Sequence, residues 1–215
     1  LFTGNQVSSA LYLNKGSMTF KDITSTAGVT TNAWITGVSI IDINTDGWDD
    51  IYLNVGGANC VDNCHNLLFI NQQNNPNDTP TFQEKAKEYG FADGKYSQQT
   101  VFLDYDQVGD LDAFTIRNGN STFSRNTPYP KNKFPNHLKD ILLENQGVDS
   151  LGHPYFKDVS KECGITEKGF SLGVAIADIN GDQLPDLYVT NDFITNDVLY
   201  LNQGKDANYA FAKAQ

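Results

Sequence analysis

GVSIIDINTDGWDDIYL, residues 37–53, joins an apolar run to a second apolar run through a turn crowded with oxygen-bearing side chains. Asp42, Asn44, Asp46, Asp49 and Asp50 fall within nine positions. Carboxylates a few ångströms apart repel by ~1 kcal/mol or more even in a wet environment, so a turn of this kind calls for a neutralising cation. The same plan returns twice, as TVFLDYDQVGDLDAFTI at 100–116 and GVAIADINGDQLPDLYV at 173–189. Asp42 to Asp104 is 62 residues and Asp104 to Asp178 is 74, which sets a repeat of about 60 residues with one insertion.

A second motif recurs between these turns. LYLN at 11–14, LFIN at 68–71, LLEN at 142–145 and LYLN at 199–202 close on Asn14, Asn71, Asn145 and Asn202. After each comes an aromatic segment: MTFKDITSTAGV, PTFQEKAKEYGF, PYFKDVSKECGI and YAFAKAQ. The first three of these reach Gly28, Gly90 and Gly164. The apolar stretches are short, rich in β-branched and aromatic residues and bounded by Gly, Asn and Asp, the signature of strands. Each unit is therefore expected to be a small antiparallel sheet, and repeated sheets of this size predict an all-β protein built from β-propeller blades.

The units fall at 6–54, 62–118, 138–192 and a partial 193–215, within one segment spanning 1–215. LFTGN at 1–5 matches the strand that follows each acidic turn, and YAFAKAQ stops ahead of its own turn. The expectation is a partial propeller, about three full units plus partial ones, cut from a longer chain.

Composition fits a globular domain: 39% hydrophobic, 12% aromatic and 19% charged residues over 215 positions. A net charge of −11 disfavours nucleic acid and anionic membrane surfaces, which need a positive face. No apolar run approaches the ~20 residues of a membrane span, so this segment is not expected to insert into a bilayer.

Calcium takes six to eight oxygens, and alternate side chains of a tight loop supply them, with Gly where the backbone turns sharply. In the first loop Asp42, Asn44 and Asp46 hold places one, three and five, Gly47 the turn, the Trp48 carbonyl place seven and Asp50 place nine. Asp49 points outward. The third loop offers Asp178, Asn180, Asp182, the Leu184 carbonyl and Asp186, with Gln183 where Gly47 stood. The middle loop keeps Asp104, Asp106, Gly109 and Asp112, but Val108 takes the fifth place, so it is the weaker site, helped by Asp110. Two calcium ions are expected and a third in the middle loop. Magnesium keeps its waters and zinc prefers clustered His or Cys. His65, His137 and His153 are scattered.

Cys60, Cys64 and Cys163 make an odd count. Cys60 and Cys64 are close enough to form a disulfide around a small loop in an oxidising compartment. The same CVDNCH run, with His65, also reads as a variant c-type haem attachment, or as two reduced thiols. Cys163 reads as a small buried hydrophobe. The insertion, RNGNSTFSRNTPYPKNKFPNHLKD at 117–140, carries Arg117, Arg125, Lys131, Lys133 and Lys139, and is expected to be a solvated basic loop. NDT at 77–79 and NST at 120–122 are N-glycosylation acceptors in a eukaryotic setting.

DINTDGWDDIYL, DYDQVGDLDAFT and DINGDQLPDLYVTNDF resemble the calcium loops of FG-GAP/VCBS repeats, and NLLFINQQ with TFQEKAKEYGF resembles their inter-loop segment. The longer run is similar to the ASPIC/UnbV, cartilage acidic protein-like group. The resemblance implies a seven-bladed propeller with calcium held by Asp42, Asn44, Asp46 and Asp50 and by Asp178, Asn180, Asp182 and Asp186. It implies an extracellular or cell-surface protein, an outer-membrane lipoprotein in a bacterium, engaging a protein or glycan ligand, within a larger surface assembly. The expected function is calcium-stabilised binding or scaffolding without catalysis. The alternatives are part of a secreted polysaccharide-active enzyme and, through Cys60, Cys64 and His65, haem electron transfer. No Ser/His/Asp or Cys/His pattern supports catalysis.

Overall fold

The computed structural model describes residues 2–3, 9–56, 65–72, 78–118, 134, 136–150, 152–192 and 195–214. The described residues form fifteen strands in four antiparallel sheets, each a simple meander in chain order. Sheet 1 holds β1 (Phe2–Thr3), β2 (Ala10–Asn14) and β3 (Phe20–Asp22). Sheet 2 holds β4 (Ile35–Ile41), β5 (Asp50–Val55), β6 (Leu67–Asn71) and β7 (Phe82–Glu84). Sheet 3 holds β8 (Gln99–Leu103), β9 (Asp112–Ile116), β10 (Ile141–Val148) and β11 (Pro154–Asp158). Sheet 4 holds β12 (Ser171–Ala177), β13 (Asp186–Asn191), β14 (Val198–Asn202) and β15 (Phe211–Lys213). The repeat as counted in the sequence is offset from the sheet: the stretch 62–118, for example, contains β6 and β7 of one sheet and β8 and β9 of the next.

The acidic turns are the β4–β5, β8–β9 and β12–β13 hairpins. Register is matched across all three, Ile41 opposite Asp50, Leu103 opposite Asp112 and Ala177 opposite Asp186. The strands after the first two turns, β5 and β9, read as largely apolar runs because sheets cover both of their faces, whereas Tyr188 of β13 is exposed. Every residue of β5 and of β9 is buried.

The core lies between sheets. Leu11, Ile23 and Val29 of sheet 1 and its following turn pack on Ile51, Leu53 and Phe69. Tyr52, Leu68 and Phe91 pack on Ala113, Ile141 and Phe156. Phe114, Ile116 and Leu142 pack on Leu187, Val189 and Tyr200. First strands of successive sheets also lie together, β4 on β8 and β8 on β12. Thr36 Oγ1 donates to the Ser97 carbonyl at 2.6 Å and Ser39 Oγ to that of Thr100 at 2.7 Å, tying β4 to its neighbour.

After the last strand of each of sheets 1–3 the chain makes one helical turn, as in the Cys163 N–H to Val159 carbonyl bond at 2.9 Å, then exits through glycine. Gly28, Gly90 and Gly164 have φ of 76°, 83° and 77°. Each also sits against the next sheet: a Cβ would meet the carbonyl oxygen of Phe82, Phe156 or Phe211 respectively. The recurrent glycine thus meets two demands, left-handed backbone and close approach.

The insertion is not wholly a solvated loop. Its residues 119–133 and 135 lie outside the described part of the structure, as do Cys60, Cys64 and the acceptor asparagines Asn77 and Asn120. At its roots, Arg117 is buried, paired with Asp93, because the connecting segment of sheet 2 supplies a carboxylate inside the sheet 2–sheet 3 contact. Phe134 and Leu138 pack with Phe170, and Lys139 bridges to Lys168. Among the described residues no helix is long and apolar enough to cross a membrane.

Candidate metal centre

The three acidic loops share one hydrogen-bond frame. The carboxylate at place one is gripped by two successive backbone N–H groups: Asp42 by Asp46 and Gly47 at 3.0 and 2.8 Å. Asp104 accepts from Val108 and Gly109 at 3.0 Å each, and Asp178 from Asp182 and Gln183 at 3.0 and 2.9 Å. The oxygen at place three accepts the N–H of place five, Asn44 from Asp46 at 3.2 Å, Asn180 from Asp182 at 3.1 Å and Asp106 from Val108 at 3.3 Å. Asp46 and Asp182 in turn accept the N–H of Trp48 and Leu184, both at 2.9 Å. Asp49 is exposed, as its place between ligands requires.

Place nine is different in kind. Asp50, Asp112 and Asp186 are fully buried, and each bridges two segments. One oxygen accepts the N–H of place two, Ile43 at 3.2 Å, Tyr105 at 3.2 Å or Ile179 at 2.9 Å. The other accepts the N–H of the asparagine that ends the third strand, Asn71 at 2.8 Å, Asn145 at 2.8 Å or Asn202 at 2.9 Å. These asparagines tie the third strand to the loop, a role that strand patterning alone does not reveal; its signal in the sequence is the recurrent LxxN ending. The side chains of Asn71 and Asn145 reach back to the Asp49 and Leu111 carbonyls of the same loops.

Each loop needs two left-handed residues and carries one glycine. Loops one and two place Thr45 (φ 54°) and Gln107 (φ 58°) at the fourth position and Gly47 and Gly109 at the sixth. Loop three exchanges them, with Gly181 (φ 81°) at the fourth and Gln183 (φ 70°) at the sixth. Gln183 is therefore no extra burden on loop three: all three loops hold a single side-chain-bearing residue in a region such residues visit at a cost.

The middle loop, weakened in sequence by Val108, concentrates charge in another way. One carboxylate oxygen each from Asp104, Asp106 and Asp112 lies within 4.8 Å of the others. Asp110 Oδ1 is buried without a hydrogen-bond partner, and Val108 turns outward to solvent. Glu144, from the third strand, takes a hydrogen bond from Tyr105 Oη at 3.1 Å and adds its field to Asp106 and Asp110. Ile70 and Leu201 stand at the corresponding places of the other two sheets, so the middle site has shifted one carboxylate from the loop to the neighbouring strand.

Burial pushes the Asp50 carboxyl up to about 6 and that of Asp112 up to about 7, with neighbouring loop carboxylates adding to both. Burial likewise raises Asp106 and Asp110, helped by Asp104 and Glu144. A divalent cation reverses this balance, because an adjacent positive charge favours the ionised form. The donor set is all oxygen, acidic and flexible, and an orphaned buried carboxylate oxygen points to a missing partner: it fits calcium. Gln107 Nε2 donates to the Gln183 carbonyl at 3.1 Å, so loops two and three touch.

Cys60 and Cys64 lie outside the described residues, and His65 is exposed. Cys163 is a buried free thiol, as its sequence context predicts.

The model of the FG-GAP-like repeat family matches residues 1–53, which take in sheet 1, the whole first acidic loop and most of β5. Residues 1–53 are thus similar to an FG-GAP-like repeat, in an all-β setting. No curated protein matches the chain.

Proposed function

We propose that the chain is a calcium-stabilised segment of an extracellular β-propeller that serves binding or scaffolding at a cell surface, as in the ASPIC/UnbV group, and is not an enzyme. The observation that carries this is the threefold recurrence of one loop frame, with three carboxylates converging in the second loop. Asp42, Asn44, Asp46, Asp50 and the Trp48 carbonyl are the candidate ligands of the first loop. Asp178, Asn180, Asp182, Asp186 and the Leu184 carbonyl serve the third, and Asp104, Asp106, Asp110 and Asp112 the second. The FG-GAP-like match over the first of these loops supports an extracellular setting.

Calcium would neutralise the carboxylates that burial disfavours, and so fix each first hairpin against the asparagine of its third strand. The stabilisation follows free calcium by mass action, ~2.7 kcal/mol per site at a hundredfold excess over the dissociation constant. Thermal melts in millimolar calcium and in EDTA test it, together with titration calorimetry for stoichiometry. The expected result is a melting temperature several degrees higher in calcium, with the increment reduced by Asp42→Ala and by Asp178→Ala. An identical melt with and without chelator would refute the proposal.

A further inference from the structure

Two equivalent clefts lie at the ends of the sheets remote from the acidic loops. The second strand of each sheet starts at the buried aspartate of its loop and runs five residues to Arg117 in sheet 3 and Asn191 in sheet 4, about 17 Å away. Arg117 and Asn191 each line the cleft between their own sheet and the preceding one. Between sheets 2 and 3 only about 160 Å³ stays open, beside the buried Arg117 side chain and its partner Asp93. Between sheets 3 and 4 the cavity is about 420 Å³. The acid is retained there: Glu167 stands three residues after Gly164, as Asp93 stands three after Gly90. Its cation comes instead from the fourth strand, Lys213, at 3.0 Å. Asn191 in place of arginine leaves the room unfilled, within the ~300–1,000 Å³ that small-molecule sites occupy.

The acids of this cleft already have partners within the protein. Glu167 pairs with Lys213; Asp140 is held by the Arg117 N–H at 2.8 Å and the Ser171 hydroxyl at 3.0 Å; Asp197 is held by the Asn191 N–H at 2.8 Å and the Tyr188 hydroxyl at 2.9 Å. A charged ligand would compete with these partners, and the acids Asp140, Glu167 and Asp197 outnumber the lysines Lys168 and Lys213 around the cleft, which disfavours an anion. What remains for a ligand is hydrogen bonding from Lys168 and Thr195. Lys168 spends one ammonium hydrogen on the Phe134 carbonyl at 3.2 Å, and Thr195 Oγ1 accepts from Phe170 N–H at 3.5 Å, leaving its own hydroxyl hydrogen to give. Phe134, set edge to face on Phe170 with centroids 5.6 Å apart, supplies one apolar wall. Donors and acceptors beside one aromatic surface match a ring with hydroxyls at its rim and C–H groups on its face.

We infer that the cleft between sheets 3 and 4 is a binding site for a single neutral sugar residue, and that Asn191 keeps it open where Arg117 closes its counterpart. The site stands apart from the acidic loops, so it goes beyond the calcium proposal and does not require it.

Saturation-transfer NMR of the whole chain with methyl glycosides of glucose, galactose, mannose and N-acetylglucosamine tests this. Binding of at least one glycoside is expected, weakened about tenfold or more by Asn191→Arg, which fills the cleft as Arg117 does, with melting temperature as the check on folding. Thr166→Trp, at an exposed rim position, gives the same loss without disturbing the half-buried Asn191. Three results would overturn the inference: no glycoside binding by the unsubstituted chain, binding undiminished in Thr166→Trp, or transfer to glutamate or another charged small molecule in preference to every glycoside.

Discussion

Asp140 shows how one residue's chemistry can set a dependence on pH. It stands just ahead of the third strand of sheet 3, and its carboxylate ties Arg117 N–H to Ser171 Oγ, joining sheet 3 to sheet 4. In sheet 2 the same task falls to Asn66, which accepts from Val55 N–H at 3.0 Å and donates to Ser97 Oγ at 3.1 Å. An asparagine does the work without charge. Burial pushes the Asp140 carboxyl up to about 7, partly offset by the Arg117 N–H, Ser171 and the Arg117 charge. In the unfolded chain the group titrates near ~3.9, so between about pH 4 and 7 the folded state binds more protons and stability falls as pH rises. Asp140→Asn should flatten that part of the pH–stability profile and raise stability at pH 8 by a few kcal/mol, measured by urea unfolding at a series of pH values in EDTA. An unchanged slope would show that Asp140 is ionised at no cost. The sequence displayed Asp140 only as one more acid in a basic stretch. Its role depends on Ser171, thirty-one residues away, and only the packing of successive sheets brings them together.

At the scale of elements, strands and hairpins were legible because local composition decides them: β-branched runs, Asx-rich turns and a repeat that multiplies each weak signal. The place-one and place-five carboxylates were legible for the same reason. Less visible was anything fixed by approach between sheets. The buried bridging role of Asp50, Asp112 and Asp186 needs the third strand; Glu144 joins the middle site from another strand; and the insertion's roots are pinned by Phe170 and Lys168. The turn glycines sit between these cases, since a glycine marks a turn in sequence but not what lies against it. Gly164 has φ 77° and its absent Cβ faces the Phe211 carbonyl, whereas Gly16 has φ 85° with nothing within 4 Å. Alanine at Gly16 should cost about 1 kcal/mol, the left-handed penalty alone. Alanine at Gly164 should cost about 2–4 kcal/mol, because the neighbouring strand must also move. Equal losses in denaturant melts would mean that β15 yields freely and the glycine serves the turn only.

For the whole molecule, burial depends on which neighbour a sheet has, and equivalent residues diverge accordingly. Tyr52, Phe114 and Tyr188 occupy one position, two residues after the buried aspartate of each loop, facing the next sheet. Tyr52 and Phe114 are fully buried, while Tyr188 is 38% exposed. The second residue of each loop behaves alike: Ile43 and Tyr105 join the cores ahead of them, and Ile179 is 47% exposed. Among the described residues nothing covers that face of sheet 4. Such stacks behave as nearly one-dimensional systems, in which stability resides in each sheet's contact with its neighbours. Phe114→Ala should therefore cost about 3–5 kcal/mol, through lost burial and the cavity left behind. Tyr188→Ala, which breaks an exposed hydrogen bond to Asp197 and little packing, should stay within about 1 kcal/mol. Urea denaturation of both variants in calcium makes the comparison, with guanidinium as a second denaturant to confirm a two-state transition. Should Tyr188→Ala prove as damaging as Phe114→Ala, the face of sheet 4 would have to be covered in solution. Concentration-dependent sedimentation would then identify a second copy of the chain as the cover.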